Sequence, residues 1–262
     1  CALCYWGEAL VLGPNINAPM DPASVGPALA AVNRARSAVA GTSAREQALI
    51  EALAARYSAD PKADRAALDL AYADAMQKVA ARFPQDNQIA VLYAEALMDT
   101  QPWNYWEPGG LQPRARAGEI LAQLEKVLAR TPDHPGAIHY YIHVVEASGK
   151  PERALPYARR LARLMPGAGH LVHMPFHTYF RVGLFKEAVD ANKRAVAADE
   201  AYIARSAPSS NAGLSPAATR GIHMSDLVLL YCLRVSLVKS WNLVRLTFSV
   251  AYRERVDPRV AM

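Results

Sequence analysis

Cysteine is scarce in this chain: 262 residues contain three, Cys1, Cys4 and Cys232. Cys1 and Cys4 make one CxxC, and without a second such pair no cysteine zinc ribbon can be built. The odd count speaks against a disulfide framework. The expectation is therefore that Cys1 and Cys4 simply lie on the first turns of a helix. Strand patterning is missing too, because nowhere before residue 207 do apolar and polar residues alternate as a half-buried strand requires. No Ser-His-Asp order, phosphate loop or dinucleotide fingerprint occurs. The single glycine pair, Gly109-Gly110, follows Pro108 and reads as a turn.

Acids are nearly missing from residues 207–262, which hold Asp226, Glu254 and Asp257 against seven lysines and arginines. That segment carries +4 of the net +5, leaving the rest of the chain at about +1. A basic stripe with interleaved aromatics is absent from the body, which argues against a nucleic-acid partner. The apolar run from Ser225 to Tyr252 is long, but Arg234, Lys239 and Arg245 interrupt it. Each costs about 2.5–3.5 kcal/mol near the centre of a membrane helix, so no transmembrane segment is expected. A capping helix, an interfacial amphipathic helix and a non-native tail all remain open for 207–262. The chain begins inside a helical pattern without an initiator methionine and is expected to lack its natural N-terminus. Any export signal would lie there, so no compartment is assigned.

Alanine, leucine and arginine are abundant, and they favour helix. An offset of 34 residues relates His139 to His173, His143 to His177, Pro132 to Pro166, Gly149 to Gly183 and Ala154 to Ala188. A self-similarity of this period signals stacked helical hairpins. Residues 135–148 form a first helix, with Gly149 as the left-handed residue that ends it. Pro151 opens a second helix over 151–165, and Pro166 stops it. The next unit runs 169–182, Gly183, then 184–198. Earlier units pair 2–12 with 62–83 and 87–99 with 113–130. Two insertions interrupt them. Residues 13–58 hold two further helices, with Asp21-Pro22 as an N-cap and first helical residue. Residues 100–112 are aromatic and rich in turn residues.

On these residues the chain resembles the tetratricopeptide repeat (TPR) proteins. Ile138, Tyr141, Ile142, Val145, Ala154, Ala158 and Pro166 carry the likeness in the third unit. Val172, Phe176, Tyr179, Ala188 and Asn192 carry it in the fourth. The likeness departs at Asn192, where an aromatic is usual, and at Glu200, where a closing proline is usual. GEALVLGPNINAPM, HPGAIHYYIHVVEASG and PGAGHLVHMP further resemble a bacterial subgroup with histidine-rich repeats. The resemblance implies an all-α fold, a short TPR-type superhelical solenoid of about four helical hairpins, over residues 1–206. It also implies that each first helix lines a concave groove through its second, fifth, ninth and twelfth residues. Counted so, His139 and His173 are fifth, and the ninth-residue row is Glu8, Glu95, His143 and His177. His170 is a second residue and Glu146 a twelfth.

Six of the seven histidines fall between residues 134 and 177. Two imidazoles four residues apart share a helix face, and packed helices lie about 8–10 Å apart. His139, His143, His173, His177 and Glu95 are thus candidate metal ligands. Imidazole with carboxylate suits a transition metal such as zinc, iron or copper. An open site, a dinuclear site and histidines that only orient true ligands are all compatible with the pattern. His170, Glu146, Glu8, Trp103 and Trp106 are candidate ligand-binding residues, the tryptophans as a lid. Asn15 and Asn17 either reach the same cavity or shape a turn. His134, before Pro135, reads as structural. Pro175, between His173 and His177, is expected to bend its helix. The functional expectation is a module that takes a peptide, protein or small ligand in its groove beside a histidine/carboxylate metal site. A metal-dependent hydrolase or oxidoreductase and a metal-free scaffold are the alternatives.

Overall fold

The computed structural model describes residues 1–60 and 62–206. The tail readings for 207–262 lie outside the described residues. Among those described there is no strand, and only two isolated bridges, Asn15 with Ala18 and Trp106 with Pro113. No helix among them is long and apolar enough to cross a membrane.

In order, α1 is Ala2–Leu12, α2 Val25–Ser37, α3 Ala44–Ala54, α4 Arg65–Arg82, α5 Asn87–Asp99 and α6 Ala117–Arg130. Then come α7 Pro135–Val145, α8 Leu155–Leu164, α9 Gly169–His173, α10 Pro175–Arg181 and α11 Phe185–Ser206. Local chemistry sets these boundaries. The Ser43 hydroxyl and Glu46 carboxylate form a capping box at the start of α3. Asp64 caps α4 and Asp86 caps α5 through backbone N–H groups. Asp21 caps the 3-10 turn Pro22–Ser24 that leads into α2. His134 caps α7, its Nδ1 accepting from the Ala137 N–H at 3.2 Å.

Three expectations need correcting. Pro175 does more than bend the predicted 169–182 helix; it divides it into α9 and α10, since proline removes a ladder N–H and crowds the preceding turn. Gly149 is not left-handed, whereas Gly183 is, at φ 81°. Gly149 instead donates its N–H to the Gly110 carbonyl at 2.8 Å, which fixes the end of the α7 segment against the 100–112 insertion. Despite the odd cysteine count, Cys1 and Cys4 form a disulfide across the first turn of α1.

Two compact units divide the chain. The first comprises Cys1–Leu164 and Met174–Ala188, and the second, among the described residues, Met165–His173 and Val189–Ser206. In the first unit each helix from α1 to α8 packs on its neighbours in sequence, and α7 and α8 both pack on α10. The core is aliphatic with many alanines. Ile89, Ala94, Leu97 and Met98 of α5, Ile120 and Leu124 of α6, and Ile138 and Ile142 of α7 are wholly buried. At about 25 cal/mol per Å2 of apolar surface, the isoleucine, leucine and methionine side chains stabilise by about 1.5–3 kcal/mol each. In the second unit, His173 is buried and its Nδ1 lies 2.6 Å from Asn192 Oδ1.

Candidate metal centre

Three of the candidate side chains come from α7 and its C-cap residue, Glu146. His139 and His143 are one turn apart, and their ring centroids are 4.9 Å from each other. Glu146 follows His143 by three residues, so it lies on the same face as His143. Across from α7, α10 presents His177. Its ring centroid stands 5.1 Å from that of His143, and its Nδ1 is 2.7 Å from Glu146 Oε2. An ionised carboxylate can only accept, so the His177 Nδ1–H donates to it.

His143, Glu146 and His177 each offer a ligand atom within 4.8 Å of the others, and together they could hold a metal ion. His143 is 1% exposed, while His177 and Glu146 keep a modest solvent edge. Two imidazoles and one carboxylate supply three donors, fewer than the four of a closed zinc site. Alternatively, Glu146 remains on His177 Nδ1 and orients that ring, leaving the two imidazoles as direct ligands. Both arrangements use the same three residues.

The 100–112 insertion supplies a wall. It forms a tight hairpin in which Glu107 N–H donates to the Gln112 carbonyl at 2.9 Å. Arg114 clamps both Glu107 carboxylate oxygens at 2.9 Å. From this hairpin Trp103 sets its ring edge-to-face with His143, centroids 5.0 Å apart. Trp103 has φ 64°, a left-handed backbone that a large L-residue adopts only at a cost. Its indole N–H donates to the Ile16 carbonyl at 2.6 Å, which joins the hairpin to the 13–18 loop. Trp106 donates to the Val144 carbonyl, also at 2.6 Å, one residue beyond His143. Both indoles thus fasten the loop while one of them packs on the histidine.

Glu8, Glu95, Asn15 and Met174 lie outside this trio. Glu8 is exposed and forms a long ion pair, 4.0 Å, with Arg34. Glu95 does not join the histidine–carboxylate trio; the hydroxyl of Tyr140 is its hydrogen-bond partner, and Arg56 and Asp99 are its charged neighbours. The ninth-residue row therefore meets only at His143 and His177. The side chain of Asn15 accepts from the N–H groups of Asn17 and Ala18, so it shapes its own turn. Met174 is fully buried as core. His170 and His173 belong to the second unit, with ring centroids 6.2 Å apart.

Sequence pattern did not reveal the polar cluster around Arg56. This side chain is 0% exposed. Its Nε donates to Asp69 at 3.3 Å, and its Nη2 donates to the Pro14 carbonyl at 2.9 Å and to Asp99 at 2.6 Å. The guanidinium also lies over the Tyr72 ring, 4.8 Å from its centroid. Burial and the nearby Glu95 push the Asp99 carboxyl up to about 8. Burial likewise raises Glu95, with Arg56 opposing the shift. The Asp99 carboxyl, one turn along α5 from Glu95, thus holds a proton near neutrality.

Comparison of the chain with protein-family models, with curated proteins and with solved structures returns no match.

Proposed function

We propose that this chain is a TPR-type binding module that takes a peptide or small ligand beside a transition-metal site built from His143, His177 and Glu146. The observation that carries the reading is the convergence of these side chains from α7 and α10, with His177 Nδ1 held 2.7 Å from Glu146. A buried imidazole whose neighbour is oriented by a carboxylate is the arrangement metal-binding histidines adopt. The 34-residue offset and the sequential packing of α1 to α8 support the repeat part of the reading. Trp103 and Trp106 give the ligand an apolar wall next to the ion, as small-ligand sites commonly have.

A second reading is a metal-dependent hydrolase or oxidoreductase. The donor count favours it, because three protein ligands leave coordination positions for water or substrate. In that case Glu146 is the group placed to accept a proton.

One experiment addresses the shared premise. Metal-free protein is titrated with zinc, iron(II) and copper(II), and bound metal is counted by elemental analysis after desalting. Stoichiometric binding that is lost in His143→Ala/His177→Ala supports the site. Equal retention by wild type and double mutant, or no retention by either, overturns it. Turnover of hydrolytic and redox substrate panels by the loaded protein then separates enzyme from binding module.

A further inference from the structure

We propose that Glu95, Asp99, Tyr72 and Tyr140 form an acidic pocket that takes a protonated amine, a site separate from the histidine–carboxylate trio and independent of any metal. All four side chains belong to the first unit and come from α4, α5 and α7, with α5 packed on both of the others. Glu95 and Asp99 lie one turn apart on α5 and share a face. The Tyr140 hydroxyl donates to Glu95, and the Tyr140 ring stacks on His139 with centroids 4.6 Å apart. Glu95 is also the charge that acts most strongly on the Tyr72 hydroxyl, ahead of Arg56.

Three observations point to a ligand. The first is shape. Glu95 keeps partial solvent access, yet the surrounding protein strongly desolvates its carboxyl. A group that is both wetted and crowded lies in a concavity, and Tyr140 shows the same combination. The second is unused hydrogen-bonding capacity. Tyr72 is 1% exposed and its hydroxyl has no partner among the described residues. The buried Asp99 carboxyl likewise has no partner there for its Oδ1. Buried polar atoms are nearly always paired, so both call for a partner from outside the chain. The third is charge. Among the described residues Arg56 and Arg65 serve three carboxyls, Asp69, Asp99 and Glu95. One acid is left without a counter-charge, and burial holds both Asp99 and Glu95 above their ordinary range.

An ammonium group answers all three. It brings the missing positive charge, and its N–H groups supply donors for Glu95, for Asp99 Oδ1 and for the Tyr72 hydroxyl oxygen. As it enters, the proton held on Asp99 passes to solvent and the carboxylate becomes an acceptor. A bare metal ion fits less well, because among the described residues these carboxylates do not converge within 4.8 Å as the trio does. Two sources carry the chemistry, a lysine side chain of a peptide and a free alkylamine.

The test uses the full chain with a chelator present, so that amine coordination by a metal cannot mimic the signal and the metal proposal stands or falls on its own titration. Calorimetry follows n-butylamine, its neutral counterpart n-butanol, an end-blocked Ala-Lys-Ala peptide and the same peptide acetylated on its lysine. The two amines should bind with millimolar affinity or better, and the two neutral ligands at least about 10-fold more weakly. A lysine peptide that binds tighter than n-butylamine supports a peptide source, and the reverse order supports a free amine. Glu95→Gln keeps the shape and removes the charge; it should weaken n-butylamine about 10–100-fold with an unchanged helical spectrum. Tyr72→Phe deletes only a hydroxyl and should weaken it about 5-fold. No binding of either amine, equal binding of n-butylamine and n-butanol, or unchanged affinity in Glu95→Gln overturns the proposal.

Discussion

Replacing Arg56 by methionine tests the largest electrostatic commitment in the first unit. The arginine is wholly buried and reaches Asp69, Asp99 and the Pro14 carbonyl. After its loss, Asp69 retains Arg65 at 2.9 Å. Among the described residues Asp99 pairs with no second cation, and its side chain is 2% exposed. Its carboxyl, already raised to about 8, keeps a proton at pH 7, so the loss of Arg56 strands buried hydrogen-bonding groups and not a bare charge. Each unsatisfied group, the Asp99 carboxyl and the Pro14 carbonyl, costs about 1–3 kcal/mol. Methionine fills most of the volume, so the cavity contribution is small. Arg56→Met should therefore lower stability by about 2–6 kcal/mol in urea unfolding followed by circular dichroism and tryptophan fluorescence at pH 7. Adding Asp99→Leu removes the stranded acid and should recover about 1–2 kcal/mol. If Arg56→Met lies within about 1 kcal/mol of wild type, or the two substitutions add independently, this reasoning fails.

The same cluster sets a pH dependence. Asp99 and Glu95 bind a proton in the fold more readily than in the unfolded chain, so the folded state holds more protons between about pH 4 and 8. Stability should fall as pH rises through that window, by up to about 1.4 kcal/mol per pH unit for each such proton; a urea midpoint series in which Glu95→Gln flattens the slope is the check. Gly110 has φ 71°, and a β-carbon there would come within 2.7 Å of the Ala147 carbonyl oxygen. Gly110→Ala should lose about 2–3 kcal/mol, whereas Gly109→Ala, left-handed but with open space, should lose about 1 kcal/mol in the same unfolding assay. Glu146→Gln weakens the anchor on His177 Nδ1, and calorimetric titration with zinc should show affinity reduced about 10–100-fold; an unchanged affinity would remove Glu146 from the site.

Helix positions were readable because their causes are local. Asn87–Asp99 begins after a capping Asp86, and Ala2–Leu12 ends at Gly13, both where spacing and cap chemistry place them. Where two local signals competed, the reading slipped. The 34-residue echo suggested one helix over 169–182, but Pro175 lies inside it and divides it. Gly149 echoes Gly183 in position, yet its backbone answers to the close approach of Gly110, 39 residues earlier in the chain.

The candidate site shows the same division. Spacing along α7 put His139 and His143 on one helix face, the offset pointed to His177, and Glu146 entered only as a groove residue implied by the resemblance. Spacing could not show that Glu95 turns to Tyr140 and Arg56, or that Trp103 lands on His143 from a left-handed backbone. Arg56 gave no pattern at all, because its partner Asp99 lies 43 residues away.

Periodicity, caps and prolines act within a turn or two of chain, so the order of residues alone places most of these helices, though not every end. Which side chains finally meet depends on how separate helices pack and which buried charges must find partners. Those are long-range energies, and only the assembled fold resolves them.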